Sequence, residues 1–405
     1  MALLVQKYGG TSVGDLERIH KVAQRIARYR EQGHQLAVVV SAMGRMTDEL
    51  IALAKRVHPR PPQRELDLLT TIGEQQSAAL LSMQLNAMGI PARAFTQHQL
   101  GFVTDGRFGD ARILRVEPRL IQAAIGRGEV AVVTGFMGTT PEGELTTLGR
   151  GGSDTTAVAL AAALGARECE IFTDTDGVYT TDPHMIPEAR KLTTIGYDQM
   201  LELAALGARV LHPRSVWYGK RYGVKIHVRS SFNFAPGTMV TEDGMELERA
   251  VSGVALDDEH AQIGLIGIPD RPGIATLVFE TLARKGIAVD MIIQGVPGHE
   301  ASRQQMAFTV NQDFADEAME ALEPLLAEIG GEAHLRRDIA KISIVGVALA
   351  STPGVPARMF KAISDTGANI EMIATSEVRI SVVVPLQYAE AALKAVHSAF
   401  ELDKV

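Results

Sequence analysis

A single cysteine, Cys169, stands in 405 residues. That excludes an internal disulfide and any Cys-x-x-Cys metal or redox motif. In the stretch CEIFTD it reads as a small buried apolar residue of a reducing compartment. Basic excess is missing too: Asp and Glu number 48 against 40 Lys and Arg, for a formal net charge of −8. Non-specific nucleic-acid binding needs a clustered basic face, so nucleic acid is not an expected partner. Long apolar runs are lacking as well. The longest, AVALAAALGA (157–166), is too short to span a bilayer, and MALLV is cut by Lys7 before it reaches the length of a signal-peptide core. No membrane partner is expected, and the chain reads as cytoplasmic. What remains is ordinary for globular domains, 46% apolar and 22% charged residues, with length for two or three cores.

The first half alternates strands with helices. LLVQK (3–7) reads as a buried strand, and Leu16, Ile19, Val22, Ala23 and Ile26 recur at helical spacing. QLAVVVSAM (35–43) is a second strand, and Thr47 is placed to cap the helix DELIALAKRV. A helix over 73–88 stops at Gly89. EVAVVTGFMG (129–138) is a strand, PEGE (141–144) a hairpin tip, and 153–166 a helix ending near Gly165. CEIFTDTDGVYTTDP (169–183) is a strand running into a polar loop, and GVKIHVRSSF (223–232) is the last strand of this half. The alternation predicts an α/β sandwich around a largely parallel sheet. Near 235–250 the periodicity fails among Pro, Gly and charges, which marks a domain boundary.

The second half repeats itself. Residues 266–292 align without gaps with 347–373, Pro272-Gly273 over Pro353-Gly354 and Met291-Ile292 over Met372-Ile373, at an offset of 353 − 272 = 81. The period is too long for a solenoid unit and suits two tandem small domains. Each copy reads as βαββαβ, the ferredoxin-like pattern.

Two glycine turns carry the chemistry. In VQKYGGTSVG (5–14) a lysine and glycines join a strand to a helix start. GTSVG fits the serine nucleophile-elbow pattern around Ser12, but only one strand precedes it and no HGGG-type oxyanion sequence is present. A phosphate cradle competes with a plain tight turn: helix N-terminal N–H groups attract anions, and glycines let a phosphate approach closely. LGRGGSDTTAVALAAAL (148–164) has the same logic, with Arg150 as a fork for carboxylate or phosphate and Ser153 and Asp154 at the helix start. Two such turns in one α/β domain would grip a nucleotide's phosphates and an acidic acceptor between them.

KYGGTS, SAMG…TDEL, IGE, GRGGSD and TDTDGVYTTDP occur in an order that resembles the aspartate kinases of the amino-acid-kinase superfamily. The tandem repeat resembles their ACT pair, with IEMIATSEVRIS (370–381) similar to its signature. The resemblance covers essentially the whole chain. It implies a three-layer αβα kinase domain over 1–245 and two ferredoxin-like βαββαβ ACT domains over 246–340 and 341–405. It further implies phosphorylation of the side-chain carboxylate of L-aspartate by ATP with Mg²⁺, the first step toward lysine, threonine and methionine. By motif, Lys7 and Asp154 would be catalytic. Lys7, Tyr8, Gly9, Gly10, Thr173, Asp174, Tyr179, Asp182 and Arg209 would lie on the ATP side. Ser41, Thr47, Glu74, Arg150, Gly151, Gly152, Ser153 and Asp154 would bind aspartate. No stretch offers a dedicated metal cage, so Mg²⁺ would arrive with the nucleotide. Phosphoryl transfer of this kind rests on positioning and charge neutralisation, with no covalent enzyme intermediate.

The same resemblance implies amino-acid effector sites in the ACT pair, at Asp270, Pro272, Gly273 and Ala275 of one repeat, Gln294, and Asn369 and Ile370 of the other. Lysine, threonine or both would be the inhibitors, and pairing of ACT domains would give a homodimer or tetramer. Met239 and Met245 precede this half; the resemblance implies that a separately translated regulatory subunit could start there, and chance placement among 15 methionines is the competing reading. Departures from the family pattern are Tyr8 for Phe, Arg45-Met46 within SAMG…TDEL, Arg209 for Lys, and Thr352-Pro353 in the second repeat. Competing readings are a carbamate or other carboxylate kinase, a catalytically dead amino-acid sensor, and a serine hydrolase.

Overall fold

The computed structural model describes residues 2–206, 210–242, 250–295 and 303–404. Two compact units emerge. The first takes the chain up to Val178, then Lys191–Ala205 and the described part of 209–247. The second takes Tyr179–Arg190, Leu206 and the described residues from Ala250 onward. Arg209 and Met245 lie outside the described residues, as does the expected boundary at 245/246.

The first unit is built on an eight-stranded sheet. Its order is Thr194–Gly196, Thr238–Thr241, Lys225–Ser230, Glu168–Thr173, Leu3–Tyr8, Gln35–Val40, Val130–Thr134, Ala92–Phe95. The last six run parallel, and Thr238–Thr241 turns antiparallel against Lys225–Ser230. Parallel strands covered on both faces read as continuous apolar runs, and Leu36 to Val40 are all fully buried. Alternation assigns the faces. Val38 and Val40 pack with Ile19, Val22 and Ile26 of helix Leu16–Glu31 and with Leu81 and Leu85 of helix Ile72–Ala87. Asp15 caps the first of these helices, accepting from Arg18 N at 2.8 Å. The small-residue helix Gly152–Leu164 contacts the strands Leu3–Tyr8, Gln35–Val40 and Glu168–Thr173.

A second sheet of four short strands, Ile113–Val116, Phe102–Thr104, Met137–Thr139 and Leu145–Thr147, includes the expected hairpin. Buried Asp67 ties it to helix Gln63–Thr70, accepting from Gly109 N at 2.9 Å, Thr147 N at 2.8 Å and Thr147 Oγ1 at 2.9 Å.

In the second unit, the first repeat has the full βαββαβ order: His260–Pro269, helix Ile274–Arg284, Val289–Gln294, Arg303–Asn311, helix Ala315–Ile329 and Glu332–Arg336. The second repeat does not. It runs Ile339–Gly346, helix Val355–Ser364, Met372–Thr375, Arg379–Pro385 and helix Ala389–Ala399, and its fourth strand is Val251–Asp257, from upstream of the first repeat. That strand pairs antiparallel with Ile339–Gly346, Asp257 opposite Lys341. The expected ranges 246–340 and 341–405 are therefore corrected: the first repeat is inserted into the second. A lone apolar strand shows its periodicity but not which sheet it completes, so the sequence pattern could not reveal the insertion. Tyr179–Arg190 also joins this unit. Ile186 enters its core, and Thr180 O accepts from Val254 N at 2.7 Å. The aligned glycines have a backbone reason: Gly273 (φ +94°) and Gly354 (φ +87°) both start helices in the left-handed region.

Lys341 lies between the two sheets with its side chain only 2% exposed, and its Nζ meets Asp257 at 3.0 Å and also Asp290. Burial works against ionised Asp257, yet the His260 hydrogen bond and the Lys341 ammonium outweigh it and hold the carboxyl well below its usual range. Among the described residues no helix is long and apolar enough to cross a membrane.

Candidate active site

In an open parallel sheet, ligands bind beyond the carboxyl ends of the strands where the strand order reverses. Here that place is the end of Leu3–Tyr8, which has Glu168–Thr173 on one side and Gln35–Val40 on the other. The chain leaves these three strands through Gly9-Gly10, Ser41-Ala42 and Asp174, and the turns are sewn together. Gly9 N donates to Phe172 O at 3.3 Å, Ser41 N to Tyr8 O at 3.1 Å, and Gly44 N to Gly10 O at 3.0 Å. A methyl on Gly10 would stand 2.9 Å from Ala42 O and 3.1 Å from Gly44 O, so the turns can touch only through a glycine.

Strand alternation sends Lys7 and Tyr8 to opposite faces. Lys7 reaches the start of helix Gly152–Leu164, where Nζ lies 2.6 Å from Asp154 Oδ1 and both side chains are about one-tenth exposed. Tyr8 goes into the core, fully buried and stacked on Phe172 at 4.7 Å. Only its backbone borders the site, so any part in holding ATP falls to main-chain groups. Ser12 is buried in the 3-10 turn Gly10–Val13 with an unpartnered Oγ. A 2% exposed hydroxyl does not suit the serine-nucleophile reading.

The second glycine turn faces the first. Gly151 (φ +68°) precedes helix Gly152–Leu164, in whose first turn Ser153 and Asp154 sit. Arg150 is exposed and, among the described residues, has no ion-pair partner. Gly135 follows strand Val130–Thr134, and a methyl there would lie 2.5 Å from Ser153 Oγ. Phe136 is held at φ +73° with its N–H on Thr156 Oγ1 at 3.1 Å. The sequence reading missed this Gly-Phe pair, although its place after an apolar strand and before a glycine was a signal.

Glu74 comes from the first turn of helix Ile72–Ala87, because Gly73 lets that helix close on Ala42, where a methyl would be 2.5 Å from Ala42 Cβ. Glu74 Oε1 accepts from Ala42 N at 3.1 Å, while buried Oε2 has no partner. Burial pushes the carboxyl up to about 7, partly offset by backbone N–H bonds. A buried carboxylate oxygen left open is what an ammonium ligand would satisfy. Thr47 is not the helix cap expected of it: the helix starts at Met46 after Arg45, which puts Thr47 inside the first turn.

Thr173 Oγ1 donates to Asp174 Oδ1 at 3.0 Å, and Thr173 O accepts from Ser231 N at 2.8 Å, at the strand ends. Tyr179 and Asp182 belong to the second unit, and Asp182 accepts from His184 N at 2.8 Å. In that unit Asp270, Pro272, Gly273 and Ala275 surround the start of helix Ile274–Arg284; Gln294 ends its strand, bonded to Gln304; Asn369 and Ile370 precede Met372–Thr375.

Among the described residues, Glu168, Glu170 and His227 form a group with metal-ligand proximity. Their contacts describe a polar network instead. Glu170 is held by Arg229 at 2.7 Å, Tyr29 at 2.7 Å and Gln6 at 2.8 Å, and both ring nitrogens of His227 face oxygens, Glu168 Oε1 at 3.0 Å and Pro236 O at 2.6 Å.

Parallel-sheet topology, two opposed glycine turns and a Lys–Asp pair between them define a phosphotransferase domain. The amino acid kinase family model matches residues 2–230, and an ACT domain model matches 263–324 and 342–400. An aspartokinase of Thermus thermophilus is 78% identical over 404 residues, covering the whole of both chains. One from Mycolicibacterium smegmatis is 46% identical over 99% of this chain and 97% of its own. The structure of E. coli aspartokinase III with aspartate and ADP aligns at a TM-score of 0.83 and 26% identity, over 98% of this chain and all of that one. The chain belongs to the amino acid kinase family and, within it, to the aspartate kinases with C-terminal ACT domains.

Proposed function

We propose that this aspartate kinase transfers the γ-phosphoryl of ATP to the side-chain carboxylate of L-aspartate. A carboxylate oxygen of aspartate attacks the γ-phosphorus, the bond to the bridging oxygen breaks, and ADP leaves with that electron pair. Lys7 and the N–H groups of Gly9 and Gly10 neutralise charge developing on the transferred group. Arg150 takes the α-carboxylate and Glu74 the ammonium, with Ser41, Thr47, Gly151, Gly152 and Ser153 lining the acceptor. Thr173 and Asp174 lie on the nucleotide side, and Tyr179, Asp182 and Arg209 keep that role by motif alone. Asp154 holds Lys7 in place. Its hard oxygens also suit Mg²⁺, which would accompany the phosphates and supply further charge neutralisation.

The observation that carries this reading is the Lys7–Asp154 pair at 2.6 Å between the two glycine turns. E. coli aspartokinase III has been captured with aspartate and ADP in an R-state and with lysine and aspartate in a T-state, which supports lysine as an inhibitor acting through the ACT pair. Threonine, alone or with lysine, is a second effector of the same chemistry, received by the Pro272-Gly273 turn and Asp270. The reaction opens lysine, threonine and methionine synthesis in the cytoplasm, by a homodimer or tetramer joined through its ACT domains. A short regulatory subunit starting at Met239 or Met245 would appear as a second co-purifying band.

The test is ADP release with MgATP and L-aspartate, alone and with lysine, threonine and both. Aspartate-dependent turnover abolished in Lys7→Ala supports the mechanism, and inhibition by added amino acid supports the sensor. A folded, ATP-binding protein with no aspartate-dependent turnover refutes the proposal.

A further inference from the structure

Residues 212–214, His-Pro-Arg, start helix Pro213–Tyr222 beside the substrate turn. Their contacts converge on it from both ends. Arg214 Nη1 donates to Leu148 O at 2.7 Å, and Nη2 pairs with Asp110 at 3.0 Å. Asp110 in turn lies where a methyl on Gly149 would stand, 2.9 Å away. On the far side of Arg150, a methyl on Gly151 would fall 2.3 Å from the Cβ and Cγ of His212, so the imidazole is seated directly on that glycine. The backbone is gripped at 148–149 and at 151, which leaves Arg150 to project.

The histidine's own bonding gives it a second task. Nδ1 accepts from Arg214 N at 3.3 Å, and an accepting Nδ1 carries no proton, so the neutral ring bears its proton on Nε2. Among the described residues, nothing accepts from that Nε2–H. Burial lowers the imidazole from its ordinary pKa, with Asp154 and Asp110 pulling the other way and Arg214 and Arg150 adding to the lowering, which keeps the neutral tautomer at neutral pH. The ring therefore offers an uncharged donor beside the Lys7–Asp154 pair, over a turn whose other donors are the N–H groups of the helix start.

We propose that His212 is a further ligand-binding residue of this site, donating Nε2–H to an anionic oxygen of the reactants while its ring packs the Gly151 turn. That oxygen belongs to the acceptor's carboxylate or to the nucleotide's phosphoryl. The proposal rests on the aspartate-kinase reading above. It is tested on the full-length enzyme with His212→Ala, His212→Gln and His212→Asn. Gln places an amide donor near Nε2, whereas Asn places its amide near Nδ1. Loss of a hydrogen bond to a charged group costs roughly 10- to 100-fold, so His212→Ala and His212→Asn should lose that much in kcat/KM and His212→Gln should recover most of it. A rise confined to the KM for aspartate assigns the oxygen to the acceptor; a change in the KM for ATP or in kcat assigns it to the phosphoryl. Calorimetric titration of the same variants with L-aspartate and with MgADP reads the hydrogen bond without turnover, so failure of the wild type to phosphorylate aspartate would leave this test standing. Unchanged kinetics and affinities in His212→Ala overturn the proposal. So does equal loss in Gln and Asn with a matching fall in Tm, which would make the ring a packing element alone.

Discussion

Glu74 should make aspartate recognition depend on pH. Its carboxyl is 3% exposed and raised by burial to about 7, and its Oε2 has no partner. An ammonium ligand needs the ionised form. With a pKa of about 7, roughly one-eleventh of the groups are ionised at pH 6 and roughly ten-elevenths at pH 8. The KM for L-aspartate at saturating MgATP should therefore fall about tenfold between those values. Glu74→Gln should abolish this dependence and raise the KM throughout, because the neutral amide cannot pair with an ammonium. The same group sets a stability term of opposite sense. The native state holds this proton more tightly than the unfolded chain, so its contribution is full below the unfolded value of 4.5 and is lost as pH rises through 7. The gap of 7 − 4.5 = 2.5 units corresponds to about 3 kcal/mol, so ligand-free Glu74→Gln should exceed wild type at pH 8 by up to that amount and match it at pH 4. Initial rates at three pH values and denaturant melts at two would decide both. A wild-type KM that stays flat from pH 6 to 8 would refute the reasoning.

Three further outcomes follow from close contacts. Gly151→Ala sets a methyl 2.3 Å from His212 at a φ of +68°, so turnover should drop at least ~10-fold while far-ultraviolet circular dichroism is retained. Lys341→Ala leaves buried Asp257 with its His260 bond but no lysine ammonium, and part-exposed Asp290 without its ammonium, and should cost about 3 kcal/mol in chemical denaturation of the regulatory unit, with lysine sensitivity lost before catalysis. Asp67→Ala removes the acceptor of three hydrogen bonds and should destabilise by roughly 2–4 kcal/mol, read as a lower Tm, because the buried N–H and hydroxyl of Thr147 and the part-buried N–H of Gly109 lose their partner.

Much of the first half was legible because period and punctuation agreed. Ile19, Val22, Ala23 and Ile26 form the buried stripe of Leu16–Glu31, and Gly165 at φ +71° ends helix Gly152–Leu164. Both glycine turns stand at strand or helix ends, where their spacing from Lys7 and Asp154 placed them. What the sequence concealed was long-range. Tyr8 beside Lys7 looks like a site residue until strand pairing turns it toward Phe172. Thr47 looks like a cap until the helix begins two residues earlier than that cap predicts, at Met46. His212 and Arg214 approach the Gly149–Gly151 turn from more than sixty residues away, and a three-residue His-Pro-Arg stretch carries no periodic signal. Likewise, nothing local marks Val251–Asp257 as the missing strand of the second repeat.

That displaced strand has a kinetic consequence. Asp257 pairs with Lys341, 341 − 257 = 84 residues later, so the second ACT sheet cannot close while the first repeat is still being made. At roughly 5–20 residues per second of synthesis, Val251–Asp257 waits on the order of 4–17 s for its neighbour. During that wait an apolar strand edge stands open while an entire ferredoxin-like fold is completed downstream of it. The first repeat is thus a finished domain before the second can begin to close, and it sets the distance over which the two ends of the second must find each other.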